Sequence, residues 1–284
     1  QNITVTEIED QRSPGLSGVQ NIDYGTGVIS LSFSETIDVD HASVTPGSVY
    51  VLETSSSSLA SGVRLTVNTM TTTDATIVRF KLTEEQRSAA IKLSGTSGFS
   101  TAAVLRIYGN TSFLDLSGNK FNKAGSLIID TFNETADVQA PTVLTCSLNF
   151  STGLMILTFS EIVNFDARIG APVAGELHLN RINIANVSGT HSSGKGTFYH
   201  SRDHDFISLA TTGTHEKSIF VNGNDNEGSV VTIQLQEEQR IMALAISGQP
   251  GGDGSGLFID FDSATIADIA RNEMDEQHGL QITE

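Results

Sequence analysis

Residues 26–35 read TGVISLSFSE, and residues 152–161 read TGLMILTFSE. The first segment alternates apolar and small polar residues, which is the period of a half-buried β-strand. The second is more continuously apolar from Leu154 to Phe159, which predicts a strand buried on both faces. Two such similar segments in one chain of 284 residues indicate an internal duplication.

Three further blocks repeat in the same order in both halves of the chain. The matching pairs are LTEEQRSAAIKLSG (82–95) with LQEEQRIMALAISG (235–248), LDLSGNKF (114–121) with IADIARNEM (266–274), and SLIIDTF (126–132) with GLQIT (279–283). Blocks that recur in one order indicate duplication of a whole domain rather than chance similarity.

The repeat predicts two domains, at 13–136 and 137–284, behind an N-terminal extension at 1–12. Ser13-Pro14 and Ala140-Pro141 open the two domains, because proline lacks an amide donor and suits a linker or a strand edge. The second copy is longer, and the added residues at about 188–229 predict an elaborated loop or an extra hairpin.

The predicted fold class is all-β. We expect the chain to form two tandem Ig-like β-sandwich domains, each with about seven strands and one short helical turn. Thr83 is a suitable N-cap and acidic residues follow it, which predicts a helix at 84–92 and its counterpart at 237–245. Further strands are predicted at 48–53, 75–82, 104–108, 127–132, 176–180, 230–235 and 257–261.

The charge balance limits the partners. The chain has 33 acidic and 16 basic residues, for a formal net charge of −17. Nucleic-acid binding needs clustered Lys and Arg, so we expect no nucleic-acid partner. No apolar stretch is long enough to span a membrane, so we expect no membrane span. Cys146 is the single cysteine, and its alternating apolar surroundings predict a buried thiol.

The motifs follow one another in a set order: a proline, a strand, T-G, a strand that ends in F-S-E, D-x-x-G-N and a final strand. This order resembles the Ig-like repeats of bacterial and algal surface proteins, adhesins and filament glycoproteins. Residues 33–35, 159–161 and 115–119 carry this resemblance. Arg271 replaces the glycine before Asn272, which leaves the turn of the second copy open. The resemblance implies an extracellular or cell-surface location and no catalytic chemistry.

The N-terminal extension contains one strand pattern too many. Residues Asn2, Ile3, Thr4, Val5, Thr6, Glu7 and Ile8 precede Ser13-Pro14 as residues 127–132 precede Ala140-Pro141. The segment is therefore the last strand of a preceding repeat, an edge strand of its own domain, or a strand donated to a neighbouring subunit. We favour donation, because an extended segment that adds to an open sheet edge can build a filament.

The sequence thus predicts a structural subunit of an extracellular glycoprotein filament or surface layer, which assembles with itself as a head-to-tail homopolymer by strand addition. The alternative is an adhesion module of a repeat-stalk protein, whose insert at 188–229 recognises carbohydrate or a cell surface. Self-association through the N-terminal strand supports the first interpretation, and ligand binding by a monomer supports the second.

Five sequons are candidates for N-linked glycans if the protein follows a eukaryotic secretory route, and their asparagines are Asn2, Asn110, Asn133, Asn149 and Asn186. Glycans apart, we expect no cofactor, with Ca²⁺ as the one ion to consider. Asp115 and Asp268 are its candidate ligands, although an aspartate before Gly-Asn more often caps a turn.

The insert contains a cluster of histidines but no recognised metal-binding motif. It contains His191, His200, His204 and His215, together with Asp203 and Asp205. The spacing of His200 and His204 suits a metal only on a helix, and no helix is predicted there, so we interpret the cluster as a solvated loop. The chain also lacks G-x-S-x-G, a P-loop and G-x-G-x-x-G, so we expect no enzyme activity.

Overall fold

The computed structural model describes residues 7–39, 44, 46–66, 70–96, 102–108, 113–121, 126–165, 177–187, 200–201, 204–209, 219–220 and 227–284. It divides the chain into two compact units, Gln1–Val138 and Gln139–Glu284. The division falls inside the junction that precedes Pro141. We describe each unit by itself.

Strands are the main regular elements in the described part of unit 1, which also contains one short α-helix. Its elements are β1 Leu16–Asp23, β2 Val28–Asp38, β3 Val49–Leu52, β4 Val63–Arg64, β5 Ala75–Lys81, α1 Glu84–Leu93, β6 Val104–Tyr108, β7 Leu114–Asp115, β8 Ser126–Ile129 and β9 Asn133–Thr135. One sheet has the order β5-β2-β1-β9, with β7 beside β2, and the other has the order β4-β3-β6-β8.

The inward positions of these two sheets form the core of unit 1. Ile29 and Leu31 of β2 are fully buried, as are Val49 and Val51 of β3. Phe33 packs against Phe113 with ring centroids 4.7 Å apart. Buried residues at every second position give a sandwich with one face of each sheet turned inward.

The last segment of unit 1 joins both sheets. β8 pairs antiparallel with β6, and β9 pairs parallel with β1 through Asn21 and Asn133. Tyr24 follows β1 as a fully buried side chain whose hydroxyl donates a hydrogen bond of 2.6 Å to Glu134. Burial and this carboxylate raise the pKa of Tyr24 far above its ordinary value.

Unit 2 repeats this topology. Its elements are β10 Val143–Asn149, β11 Leu154–Asn164, β12 Ile182–Ala185, β13 His200–Ser201, β14 His204–Ser208, β15 Ile219–Phe220, β16 Glu227–Gln234, α2 Glu237–Ala245, β17 Phe258–Phe261, β18 Ala267–Asp268 and β19 Gln277–Thr283. β19 pairs antiparallel with β17 and parallel with β10, as β8 and β9 do in unit 1. The all-β, Ig-like sandwich prediction is confirmed.

Two local predictions in unit 2 were wrong. In place of the strand predicted at 176–180, the described residues form a 3₁₀ turn at Leu179–Arg181, and the strand begins at Ile182. β11 is not buried on both faces, since its inward residues are buried while Ile156 is 40% exposed. Apolar residues can occupy the exposed outer face of a sheet, so a continuous run of apolar residues does not by itself indicate burial on both faces.

The repeated E-E-Q-R block caps the start of each helix and attaches the helix to a neighbouring strand. Thr83 accepts a hydrogen bond from the Gln86 amide while the Gln86 side chain accepts one from the Thr83 amide, which forms a capping box. Gln86 also donates to the Arg64 carbonyl of β4. In α2, Gln239 makes the same cap and donates to the Ser208 carbonyl of β14.

The arginine of the same block fastens each helix to a hairpin. Arg87 donates two hydrogen bonds of 2.8 Å to Glu84 and one of 3.1 Å to the Tyr24 carbonyl. Arg240 pairs with Glu237 in the same way and donates to the Phe150 carbonyl at 2.7 Å. Neither helix among the described residues is long and apolar enough to cross a membrane.

The F-S-E blocks also have a structural explanation. Phe33 and Phe159 are core residues, 4% and 2% exposed. The Ser34 hydroxyl accepts a hydrogen bond of 2.9 Å from the Gly15 amide, which follows Pro14. Ser160 accepts one of 3.0 Å from the amide of Thr142, which follows Pro141. The serine therefore aligns the start of each domain on its second strand.

Candidate functional site

The predicted assembly strand lies mostly outside the described residues. Of Asn2–Ile8, only Glu7 and Ile8 are described, and they are exposed and belong to no strand. Ile8 is 91% exposed, the largest exposure among the large hydrophobic side chains that are described. An isoleucine left in solvent gains no hydrophobic stabilisation within its own unit.

The residues that follow Ile8 are attached to unit 1. The Asp10 carbonyl accepts a hydrogen bond of 3.1 Å from the Asn119 side chain. The Arg12 guanidinium lies 3.3 Å from Glu35. The chain is thus held at residues 10–12, and Ile8 stands beyond the attachment.

Three carboxylates meet at this attachment. One oxygen from each of Asp10, Glu35 and Asp115 lies within 4.8 Å of the other two. The Glu35 oxygen that faces Arg12 is buried and accepts no hydrogen bond. These three carboxylates could hold a cation, because Ca²⁺ prefers several oxygen ligands.

Asp115 already has hydrogen-bond donors for both of its oxygens. One oxygen accepts from the amides of Ser117 and Asn119, each at 2.8 Å. The other accepts from the Asn119 side chain at 2.9 Å. The turn interpretation of Asp115 is therefore confirmed, and a role in Ca²⁺ binding stays a prediction.

Asp268 makes the corresponding turn in unit 2. Its oxygens accept from the Asn272 amide at 2.7 Å and from the Asn272 side chain at 2.8 Å. Gly118 adopts φ +79° in unit 1, and Arg271 adopts φ +72° at the same position in unit 2. The exchange of glycine for arginine leaves the turn unchanged.

The five sequons fall in different settings. Asn2 and Asn110 lie outside the described residues. Asn133 in β9 and Asn149 at the end of β10 are exposed. The half-buried Asn186 donates a hydrogen bond of 3.0 Å from its side-chain amide to Asp253.

The insert forms part of the sheet of unit 2. β13 and β14 pair as a hairpin, in which His200 is opposite Asp205 and Ser201 is opposite His204. His200 and His204 therefore lie on strands, so the helical metal spacing does not apply. His191, Asp203 and His215 lie outside the described residues.

No family model and no curated protein matches the chain. Among solved structures, the chain is similar to native alpha-2-macroglobulin from Escherichia coli, in a crystal structure that spans domains MG0-NIE-MG1. The identity is 10% and the TM-score 0.32, with 93% of this chain and 71% of that chain covered. So distant a likeness carries no functional argument, and the strand pairings themselves establish the fold.

Proposed function

We propose that this chain is a structural subunit of an extracellular filament or surface layer, which assembles head-to-tail with other copies of itself by strand addition. The observation that carries the proposal is the 91% exposure of Ile8, the last residue of the extended pattern of residues 2–8. Burial of this residue and pairing of the strand's backbone both require an acceptor.

The strand pairings restrict the kind of acceptor. In both units the first strand already pairs with the last strand of the same unit, through β1 with β9 and β10 with β19. The donated strand therefore adds to an outer sheet edge and does not replace a missing strand. Among the described residues of unit 2, the outermost strands are β13 and β15.

The attachment at residues 10–12 supports donation. Arg12 and Asp10 hold the chain on unit 1, so the donated segment has a defined exit point. A segment with a defined exit point loses less conformational freedom when it pairs with an acceptor, which lowers the cost of binding.

The test compares the intact chain with a chain that lacks residues 1–9 and with an Ile8→Asp variant, by negative-stain electron microscopy and sedimentation. We expect filaments from the intact chain and monomers from both variants. Ile241→Asp is the matched control, because Ile241 is also exposed, at 54%, and lies on α2. Filaments from the truncated chain, or monomers from the intact chain, would overturn the proposal.

For a chain secreted from a eukaryotic host, we predict N-linked glycans at Asn133 and Asn149 and lower occupancy at Asn186. The first two side chains are exposed, whereas the Asn186 amide is held by Asp253. Peptide mass mapping before and after glycosidase treatment measures each site. Higher occupancy at Asn186 than at Asn133 would contradict the prediction, and Asp253→Ala should raise occupancy at Asn186.

A further inference from the structure

The second sheet of unit 1 has a row of large polar and aromatic side chains on one face. Tyr50 of β3 pairs with Arg64 of β4 on one side and with Arg106 of β6 on the other, and Arg106 pairs with Ile128 of β8. Opposite residues of antiparallel strands project from the same face of the sheet. The positions next to Tyr50 on β3 and next to Arg106 on β6 are buried, so the row faces away from the core.

A second tyrosine extends this row. Tyr108 follows Arg106 by two residues on β6 and therefore lies on the same face. The rings of Tyr50 and Tyr108 have centroids 5.9 Å apart at an interplanar angle of 78°. Both rings are half-buried, and Ile128 is 41% exposed. We call Tyr50, Arg64, Arg106, Tyr108 and Ile128 the tyrosine–arginine face.

Backbone contacts hold the two guanidinium groups in place. Arg64 donates a hydrogen bond of 2.8 Å from Nε to the Gly47 carbonyl. A Cβ on Gly47 would lie only 2.7 Å from Arg64 Nη2, so glycine leaves room for the guanidinium. Arg106 donates from Nη2 to the Ser55 carbonyl, while its Nε is buried and has no hydrogen-bond partner.

Neither arginine makes a salt bridge with a carboxylate in the part of the chain that the structure describes. This is notable because the chain has 33 acidic residues against 16 basic ones. Each guanidinium has five N–H donors and uses one of them on a backbone carbonyl in the contacts above. Apart from the buried Nε of Arg106, the remaining donors suit an anion from outside the unit.

The spacing favours an extended anion over a single small one. Arg64 and Arg106 lie on strands two positions apart, which places their backbones roughly 10 Å from each other with Tyr50 between them. A tyrosine ring offers an apolar surface with a polar hydroxyl at its end. That combination matches a pyranose ring, whose C–H face is apolar and whose rim carries hydroxyl groups.

We propose that the tyrosine–arginine face binds an acidic polysaccharide, with sugar rings on Tyr50 and Tyr108 and uronate carboxylates on Arg64 and Arg106. The planar guanidinium matches a carboxylate in a bidentate arrangement. An acidic peptide would use the arginines equally well but would leave the two ring faces without matching flat partners. This binding does not depend on filament formation.

The test measures binding of the full chain to galacturonic acid oligomers by calorimetry, at about 0.15 M salt, where distant acidic residues are screened beyond about 8 Å. The fully methyl-esterified oligomer is the matched control ligand, because it keeps the rings and loses the charges. We expect binding of the acidic oligomer and at least tenfold weaker binding of the ester.

Matched variants assign the binding to this face. Arg64→Gln and Arg106→Gln keep a hydrogen-bond donor and lose the charge, and Tyr108→Leu keeps apolar volume and loses the ring. Each should weaken binding of the acidic oligomer at least several-fold. Lys81→Gln is the control, since Lys81 is an exposed cation on the other sheet of unit 1.

Three results would overturn the proposal. They are no binding of the acidic oligomer, equal binding of the acidic and esterified oligomers, and loss of binding in Lys81→Gln to the same degree as in Arg106→Gln. Poly-glutamate that binds as tightly as the sugar oligomer through the same arginines would assign the face to acidic peptides. Circular dichroism of every variant tests whether the fold is retained.

Discussion

At the scale of single residues, one left-handed backbone conformation is occupied by glycine in one repeat and by arginine in the other. Gly118 and Arg271 stand at equivalent turns with φ +79° and +72°. Glycine adopts this region without steric cost, whereas a side chain costs about 1–2 kcal/mol. The turn in unit 2 tolerates arginine because the Asp268 carboxylate and Asn272 hold it.

We predict that Gly118→Ala lowers the free energy of unfolding of unit 1 by about 1 kcal/mol. The cost is conformational, because a Cβ at Gly118 meets no atom within 4 Å. Gly18→Ala is the matched control, since a Cβ there also meets nothing, and Gly18 lies in β1 without a positive φ. Urea denaturation should show the control unchanged or slightly more stable, and equal losses in both variants would contradict the argument.

At the scale of elements, the arginine ion pairs of the two E-E-Q-R helices are buried to different degrees. Arg87 is 10% exposed and pairs with the fully buried Asp137 as well as with Glu84. Arg240 is 25% exposed and pairs with Glu237, itself 67% exposed. Exposed pairs contribute little to stability, whereas removal of one partner from a buried pair leaves an uncompensated charge.

We therefore predict that Arg87→Met destabilises unit 1 by about 3 kcal/mol, because it leaves the Asp137 carboxylate buried without its cation. Arg240→Met should destabilise unit 2 by clearly less. Chemical denaturation of each variant, followed by circular dichroism, measures both losses. A larger effect at Arg240 than at Arg87 would show that burial of the ion pair does not determine its contribution.

At the scale of the whole molecule, two units with separate cores carry one thiol between them. Cys146 lies in the core of unit 2 at 2% exposure, and burial raises its pKa to about 12. The thiol is therefore protonated in the folded unit throughout the physiological range. The raised pKa favours the folded state at every pH below the unfolded-state pKa of 9.0. This stabilisation is lost as the pH rises from 9.0 toward the folded-state pKa of about 12.

We predict that a thiol reagent labels Cys146 only when unit 2 unfolds, and that the native rate stays low up to about pH 9. Arg87→Met should leave the labelling rate unchanged, because Arg87 and the carboxylates it pairs with lie in unit 1. Stopped-flow labelling across a urea series measures the rate. Faster labelling in Arg87→Met would show that the two units unfold together.

The sequence by itself determined the duplication, the all-β class, both helices and the buried thiol. These follow from local periodicity, capping residues and repeated blocks, which depend on neighbours along the chain. It also identified Asp115 as a turn residue, because the aspartate bonds to amides only a few positions away.

Only the tertiary structure decided which distant residues meet. It showed that the last strand of each unit pairs with its own first strand, that Asp10 and Glu35 join Asp115, and that Arg64, Tyr50 and Arg106 form one row. The tyrosine–arginine face had no signal in the sequence, because its members come from four strands separated by loops. Pairing between strands that are distant along the chain places these side chains together. The hydrophobic pattern of one strand shows which face is buried, but it does not show which distant strand lies beside it.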